Sequence, residues 1–467
     1  MRVLRNSKPT PEQLPILLDA GSGFRLIRGA AGSGKTTAAI LRLRQLCASQ
    51  VARHRMLGLK EPVRALLLTF NQTLRGYVEE LAGNENLGHE ELDLRVETFG
   101  RWASGLLSWP DILQERAEIL DPLVRGVGLG AGSDLTYFRD EVAYIRGRFH
   151  PDRREEYLTA RRIGRGRAPA VPRGIRERLL SEVLPAYETT LEAKGVLDWE
   201  DVAVHAADAK GTPYDVVVVD ECQDFAANQL RAVQRHLASN HMTTFVMDGI
   251  QTIYPHRFEW REIGIEMRPE MVTLLKTNYR NTKEIARFAA SLVQGLPPDP
   301  EGAVPDPEAC RRTGPRPVVL LGQFSWQFSA MLEAIQPVLD SGDSVAILHA
   351  LGGGWFRFMK DRLQGQGIQY CEITRSRDWP TGPEQVALST IHSVKGLEFD
   401  HVLIPGLNAE VTPHGAGEDH GTFEALRRLL AMGIGRARKS VMLGAKPGEQ
   451  SKLFGFLDSE SFELRKE

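Results

Sequence analysis

Eight consecutive residues of the 467-residue chain, Gly29-Ala30-Ala31-Gly32-Ser33-Gly34-Lys35-Thr36, spell G-x-x-x-x-G-K-T, with Thr37 directly behind. These residue types suit a triphosphate. The glycines let the backbone curl so that successive N–H groups face phosphate oxygens. Lys35 brings a positive charge to the β- and γ-phosphates, and Thr36 offers its hydroxyl to Mg²⁺. A second chemical signal lies far along the chain, where Asp215-Val216-Val217-Val218-Val219 runs into Asp220-Glu221. An acid at the end of a buried strand suits Mg²⁺, here Asp220, and its neighbour Glu221 suits polarising an attacking water. Adjacent Asp and Glu beside a phosphate loop point to hydrolysis of ATP or a related nucleotide.

The elements that must hold these residues can be read around them. Phe24–Ile27 reads as a strand entering the loop, and Thr37–Leu41 as the start of a helix leaving it. The β-branched run before Asp220 suits a parallel strand covered on both faces. Further strands are expected at 64–70, 95–99 and 243–248 in a first block, and at 271–275, 317–321, 344–348, 385–390, 401–404 and 440–443 in a second. Alternation with helix-like segments such as Trp326–Leu339 and Phe423–Met432 predicts an α/β fold with two mostly parallel sheets. The expected division is residues 1–105 and 197–267 for the first block, a mainly helical insertion at 106–196, and 268–467 for the second.

Composition narrows the setting. Apolar residues make up 42% of the chain, as in a globular protein. With 58 Lys+Arg against 60 Asp+Glu, the net charge is −2, so a nucleic-acid site has to be a local patch. The cysteines, Cys47, Cys222, Cys310 and Cys371, form no C-x-x-C pair. Neither a metal ribbon nor a disulfide framework is expected, which fits a reducing cytoplasm. No apolar run has membrane-spanning length and no signal-peptide core opens the chain, so a cytoplasmic protein with no membrane partner is expected.

In order along the chain, the motifs resemble those of superfamily 1 DNA helicases of the UvrD/Rep type. Thr10-Pro11-Glu12-Gln13 is similar to the family's adenine-reading segment, with Gln13 on the base. Thr69-Phe70-Asn71 and Thr98-Phe99 resemble two DNA-contacting strand ends, with Gly100 where the family has His. Leu197-Asp198-Trp199-Glu200-Asp201 is similar to the acidic–aromatic segment before the Mg²⁺ strand. Asp248-Gly249-Ile250-Gln251-Thr252-Ile253-Tyr254 resembles the segment in which Gln251 senses the γ-phosphate and Tyr254 lies along the strand, with His256 where a stacking Trp is common. Asn278-Tyr279-Arg280 and Leu426–Arg438 resemble the motifs that bring Arg280 and Arg436 to the γ-phosphate. Thr390–Asp400 closely matches T-x-H-x-x-K-G-L-E-F-D, with Glu398 toward the ribose and Thr390 and His392 toward DNA. The resemblance implies two RecA-like motor domains that use ATP and Mg²⁺ to translocate on single-stranded DNA with 3′-to-5′ polarity.

Physical chemistry supports part of that list independently. An arginine fork pairs bidentately with phosphate oxygens and stabilises spreading charge. Aromatic faces such as Phe70, Phe99, Tyr254 and His256 could stack bases, and core packing is the competing use of each. Arg139 to Arg178 is arginine-rich, which suits a phosphate backbone or an ordinary solvated helix face. Only about 110 residues separate Arg280 from Thr390, too few for the family's large second-domain insertion. A compact motor is therefore expected, with translocation better supported than processive unwinding. The alternative is a nucleotide-gated DNA-binding switch or scaffold subunit, with a protein partner in a repair or phage-defence complex.

Overall fold

The structure, a computed structural model, describes residues 9–29, 32–69, 91–129, 135–160, 171–247, 258–296, 307–374, 382–394, 397–411 and 420–467. The sequence has two kinds of strand-forming run, and each goes where its burial pattern requires. Tyr214–Val219 (β4) is Tyr-Asp followed by four valines, all four fully buried. Val216 and Val218 face Ala38, Leu43 and Leu46 of the helix Lys35–Leu57, while Val217 and Val219 face Phe99, Trp102, Phe225 and Leu230. Two-sided burial at roughly 1.5–3 kcal/mol per valine fixes this strand at the centre of a sheet.

That sheet has six strands. With β1 at Gly23–Gly29, β2 at Val63–Thr69, β3 at Leu92–Thr98, β5 at Leu237–Met247 and β6 at Val272–Leu275, the order is β3-β2-β4-β5-β1-β6, and every pairing is parallel. One expectation is corrected here. The sequence reads 271–275 as the first strand of the second block, but Val272–Leu275 pairs with Leu26–Gly29 and closes the first sheet at its edge. The first sheet therefore extends past residue 267, and the chain leaves it only after Leu275.

A separate helical layer lies between β3 and β4 in sequence. The helices Ala117–Gly126, Leu135–Arg148 and Leu184–Lys194 enclose their own core of Leu120, Phe138, Ile145, Tyr157, Leu179 and Tyr187. The arginines of this layer are tied down within the protein. Arg139, Arg153, Arg154, Arg173 and Arg178 pair with carboxylates, and Arg176 donates to the carbonyls of Tyr157, Leu158 and Ala160. The described arginines of this stretch thus have partners within the protein, several of them on its exposed face, while 161–170 lies outside the described residues.

Beyond β6 come Asn278–Thr282 (β7) and Cys310–Arg312 (β8), a two-stranded ribbon. A seven-stranded parallel sheet follows. Its strands are β9 (Val318–Leu321), β10 (Val345–His349), β11 (Tyr370–Glu372), β12 (Val386–Thr390), β13 (Phe399–Ile404), β14 (Ala437–Ala445) and β15 (Glu463–Lys466), in the order β11-β12-β10-β13-β14-β9-β15. The fold is thus α/β with mostly parallel sheets. No helix among the described residues is long and apolar enough to cross a membrane.

Candidate functional site

β1 delivers the phosphate loop, and the helix Lys35–Leu57 carries it away. The loop turns on glycines in the left-handed region, Gly32 at φ 82° and Gly34 at φ 79°. No side chain caps the helix at Gly34, so its first-turn N–H groups suit an anion. A side chain at Gly34 would also strike the Gln13 amide, 2.6 Å from an added Cβ. Lys35 and Ser33 are buried, and Ala30 and Ala31 lie outside the described residues.

The two acids stand at the C-terminal end of β4, directly beside this helix start. Thr36 Oγ1 donates to Asp220 Oδ2 at 3.0 Å, across 184 residues of sequence. Glu221 lies next to it with φ 51°, a left-handed backbone uncommon for a residue with a side chain. Its N–H donates to Asp220 Oδ1 at 3.0 Å, and Gln223 Nε2 donates to Glu221 Oε2. Burial, with the Glu221 charge adding to it, pushes the Asp220 carboxyl up to about 7, against the Thr36 hydrogen bond and the Lys35 charge. Two adjacent buried acids beside the phosphate loop suit a divalent cation.

The donor set fits Mg²⁺ tested on this basis. Thr36 and Asp220 converge on one point, and the described residues contain no group of three or more His, Cys, Asp and Glu able to hold a metal alone. Mg²⁺ commonly takes one or two protein oxygens and completes its shell with phosphates and water.

Gln13 is buried, with Oε1 accepting from Thr10 N at 2.9 Å and Nε2 donating to Gly34 O at 3.0 Å. An amide has two donors and two lone pairs, so one of each is left for a base. From the other side, Tyr279 N and Arg280 N both donate to Gly32 O, at 3.0 and 3.2 Å. The Arg280 guanidinium pairs with Glu398 and reaches Gly435 O at 3.5 Å. Asn281 Nδ2 donates to Gly435 O and Ala437 O at 3.0 and 2.6 Å. Arg436, the next residue, is buried with Nε on Met432 Sδ at 3.3 Å. Burial raises Glu398, but Arg280, backed by Arg438 and Arg436, holds its carboxyl below the usual glutamate range. The structure therefore brings Lys35, Thr36, Asp220, Glu221, Arg280, Glu398 and Arg436 into one connected polar region.

The candidate nucleic-acid residues fare differently. Phe70, Asn71, Gln251, Tyr254 and His256 lie outside the described residues. Phe99 is 4% exposed, packed against Trp102 and Phe225, so its ring belongs to the core and is closed to a base. The exposed aromatic at that corner is Trp199, whose Cζ3 lies 2.8 Å from where a Gly100 Cβ would stand. Glycine at 100 is thus what lets Trp199 lie there, a relation no local pattern announces. Thr390 Oγ1 bonds Ser393 Oγ at 3.0 Å, and His392 is exposed beside it.

Residues 367–446 match the UvrD-like helicase C-terminal domain family. Among curated proteins, the ATP-dependent DNA helicase Rep of Salmonella typhimurium is 41% identical over 58 residues, 12% of this chain and 9% of that protein. Rep of Buchnera aphidicola is 39% identical over 83 residues, 18% of this chain and 11% of that one, and Rep of Escherichia coli K12 is 40% identical over 58 residues, 12% and 9%. The matched stretches thus span only 9% to 11% of those relatives. A solved C-terminal domain of a possible DNA helicase from a Lactobacillus (strain WCFS1) aligns at 22% identity and TM-score 0.30, over 40% of this chain and 99% of that one. The chain is thus similar to the UvrD-like helicase C-terminal domain over residues 367–446 and to Rep helicases over short stretches.

Proposed function

We propose that the protein is an ATP-driven motor of the superfamily 1 helicase type, built of two RecA-like domains with a helical insertion in the first, that moves on single-stranded DNA. The observation that carries this reading is the placement of Arg280. Its backbone hangs on the phosphate-loop carbonyl of Gly32, while its guanidinium is held by Glu398 across from the loop. An arginine parked on a carboxylate beside a phosphate cradle is positioned to change partner when a γ-phosphate arrives.

In this mechanism Lys35 and the loop N–H groups bind the phosphates, and Gln13 holds the base. Thr36 and Asp220 would hold Mg²⁺, which would supply positive charge to offset that of the phosphates. Arg280 and Arg436 close on the γ-phosphate, and Glu221 orients the attacking water. Gln251 reports phosphate occupancy to Tyr254 on the DNA side, and closure and reopening shift the grip with 3′-to-5′ polarity. Duplex unwinding is the further step that such movement would power.

The test is ATP hydrolysis with and without single-stranded DNA. Strong stimulation in the wild type and background turnover in Lys35→Ala are expected. Unchanged turnover in Lys35→Ala would discard the site. DNA-stimulated hydrolysis with no movement along the strand would replace the motor with a nucleotide-gated switch serving a repair or defence complex.

A further inference from the structure

Between the last strand of the first sheet and the ribbon that carries Arg280 there are only two residues, Lys276 and Thr277. Every part of the chain that contributes Arg280, Glu398 and Arg436 lies beyond this crossing. The side chain that grips it comes from near the start of the described chain. Glu12 accepts from Lys276 N at 3.2 Å and Thr277 N at 3.1 Å through Oε2, and from Thr277 Oγ1 at 2.7 Å through Oε1. Three hydrogen bonds to one carboxylate are of the charge-assisted kind, stronger than neutral pairs.

Glu12 sits in a single turn that has a second grip. Gln13 N donates to Thr10 O at 2.9 Å, closing the turn, and the Gln13 amide holds Gly34 O on the phosphate loop. One turn of chain therefore touches the crossing with one side chain and the phosphate loop with the next. Three residues past Thr277, Arg280 N returns to the same loop at Gly32 O. The crossing is thus held at both ends against the loop.

We infer that Glu12 is a positioning residue for Arg280: it fixes the crossing at 276–277 to the base-reading turn, so that the arginine stands at a set distance from the phosphates. This rests on the nucleotide-hydrolysing reading above. Glu12 touches neither phosphate nor water in this role. Its loss moves the rate while leaving nucleotide affinity with Gln13 and Lys35. A shift of about 1 Å in a catalytic group can cost about a hundredfold.

The experiment uses the full chain with three variants, Glu12→Ala, Glu12→Gln and Thr277→Val. Steady-state ATPase is measured with single-stranded DNA, together with amide hydrogen exchange in the absence of nucleotide. Glu12→Ala should lower kcat about tenfold or more, with KM for ATP changed by less than about twofold. Glu12→Gln keeps carbonyl acceptance toward Thr277 and should recover most of the rate. Amides 276 and 277 should exchange faster in Glu12→Ala, while Ala38 N, bonded to Gly34 O, keeps its protection. If Glu12→Ala does not fold, Thr277→Val, which removes only the hydroxyl contact, carries the same comparison with a smaller loss.

Wild-type kcat in Glu12→Ala, or unchanged exchange at 276–277, overturns the inference. Equal losses of rate, KM and stability in both Glu12 variants also overturn it, by making Glu12 a structural residue. A wild-type protein with no ATPase overturns the hydrolysis reading and the catalytic role with it. In that case exchange, which needs no turnover, still decides whether Glu12 grips the crossing.

Discussion

The first half of the molecule holds two buried acid clusters, and they are neutralised in different ways. Asp198, Glu200 and Asp201 open the helix Trp199–Asp208. The helical layer and its approach bring arginines to them. Arg146 pairs with Asp201 and lies 3.4 Å from Asp198, and Arg116 pairs with Glu200 at 2.9 Å. The ring of Tyr187 lies 5.0 Å from the Arg146 guanidinium carbon. Asp220 and Glu221 sit at the end of the central strand, beside the Lys35 charge and the start of the phosphate-loop helix. A cluster whose counter-charges are all protein side chains is a fastening. A cluster set against the uncapped start of a phosphate-loop helix is a place for something to bind.

The largest test of that difference is catalytic. Glu221→Gln should bring ATP turnover to background while single-stranded DNA binding survives, and Arg280→Ala should lower turnover by about 10³–10⁵. Both are read by coupled ATPase and DNA-binding titrations. Normal turnover in either variant breaks the assignment. Next comes the fastening. Arg146→Ala removes the guanidinium beside the buried Asp198 and the partly exposed Asp201 and should destabilise the fold by about 3 kcal/mol in denaturant unfolding.

A third test adds the nucleotide and its cation. Mg²⁺ with a slowly hydrolysed ATP analogue, at about a hundred times its dissociation constant, should stabilise the wild type by about 2.7 kcal/mol and Lys35→Ala by far less. The smallest effect concerns pH. Burial, with Asp198 adding to it, pushes the Glu200 carboxyl up to about 7 from an ordinary value of 4.5. The folded protein holds that proton where the unfolded chain has released it. The associated stability is therefore complete below about pH 4.5 and lost as pH rises through 7. Glu200→Gln mimics the protonated form, so its melting temperature should gain on the wild type as pH is raised from 5 to about 8. A difference that stays flat across this range would mean Glu200 is ionised throughout.

What could be read from sequence was whatever a short run of residues carries by itself. The valines of β4 announce a two-sided strand, and the glycines and lysine of the loop announce a phosphate. Partners chosen at a distance leave no such mark. Val272–Leu275 is a four-residue strand whose sheet is decided by where the chain crosses, not by its composition. Glu463–Lys466, exposed and largely charged, pairs with β9 at the edge of the second sheet, a strand outside those expected from the sequence. Phe99 carries the same residue type for a core or for a base, and only the packing of Trp102 and Phe225 decides. Glu12 has no motif of its own, because its partners are two backbone N–H groups and a hydroxyl more than 260 residues away.

The order of strands in the first sheet has a consequence for how the chain is made. The strand that leads into the phosphate loop, Gly23–Gly29, has as neighbours Leu237–Met247 and Val272–Leu275. During synthesis one of its edges stays bare until residue 247 has emerged and the other until residue 275 has. Residues of the helical layer emerge long before that, with a core of their own to collapse around. The strand that enters the nucleotide loop is thus translated well before either of its neighbours. In the interval this apolar strand is exposed to mispairing, so conditions that slow late synthesis should favour aggregation over folding.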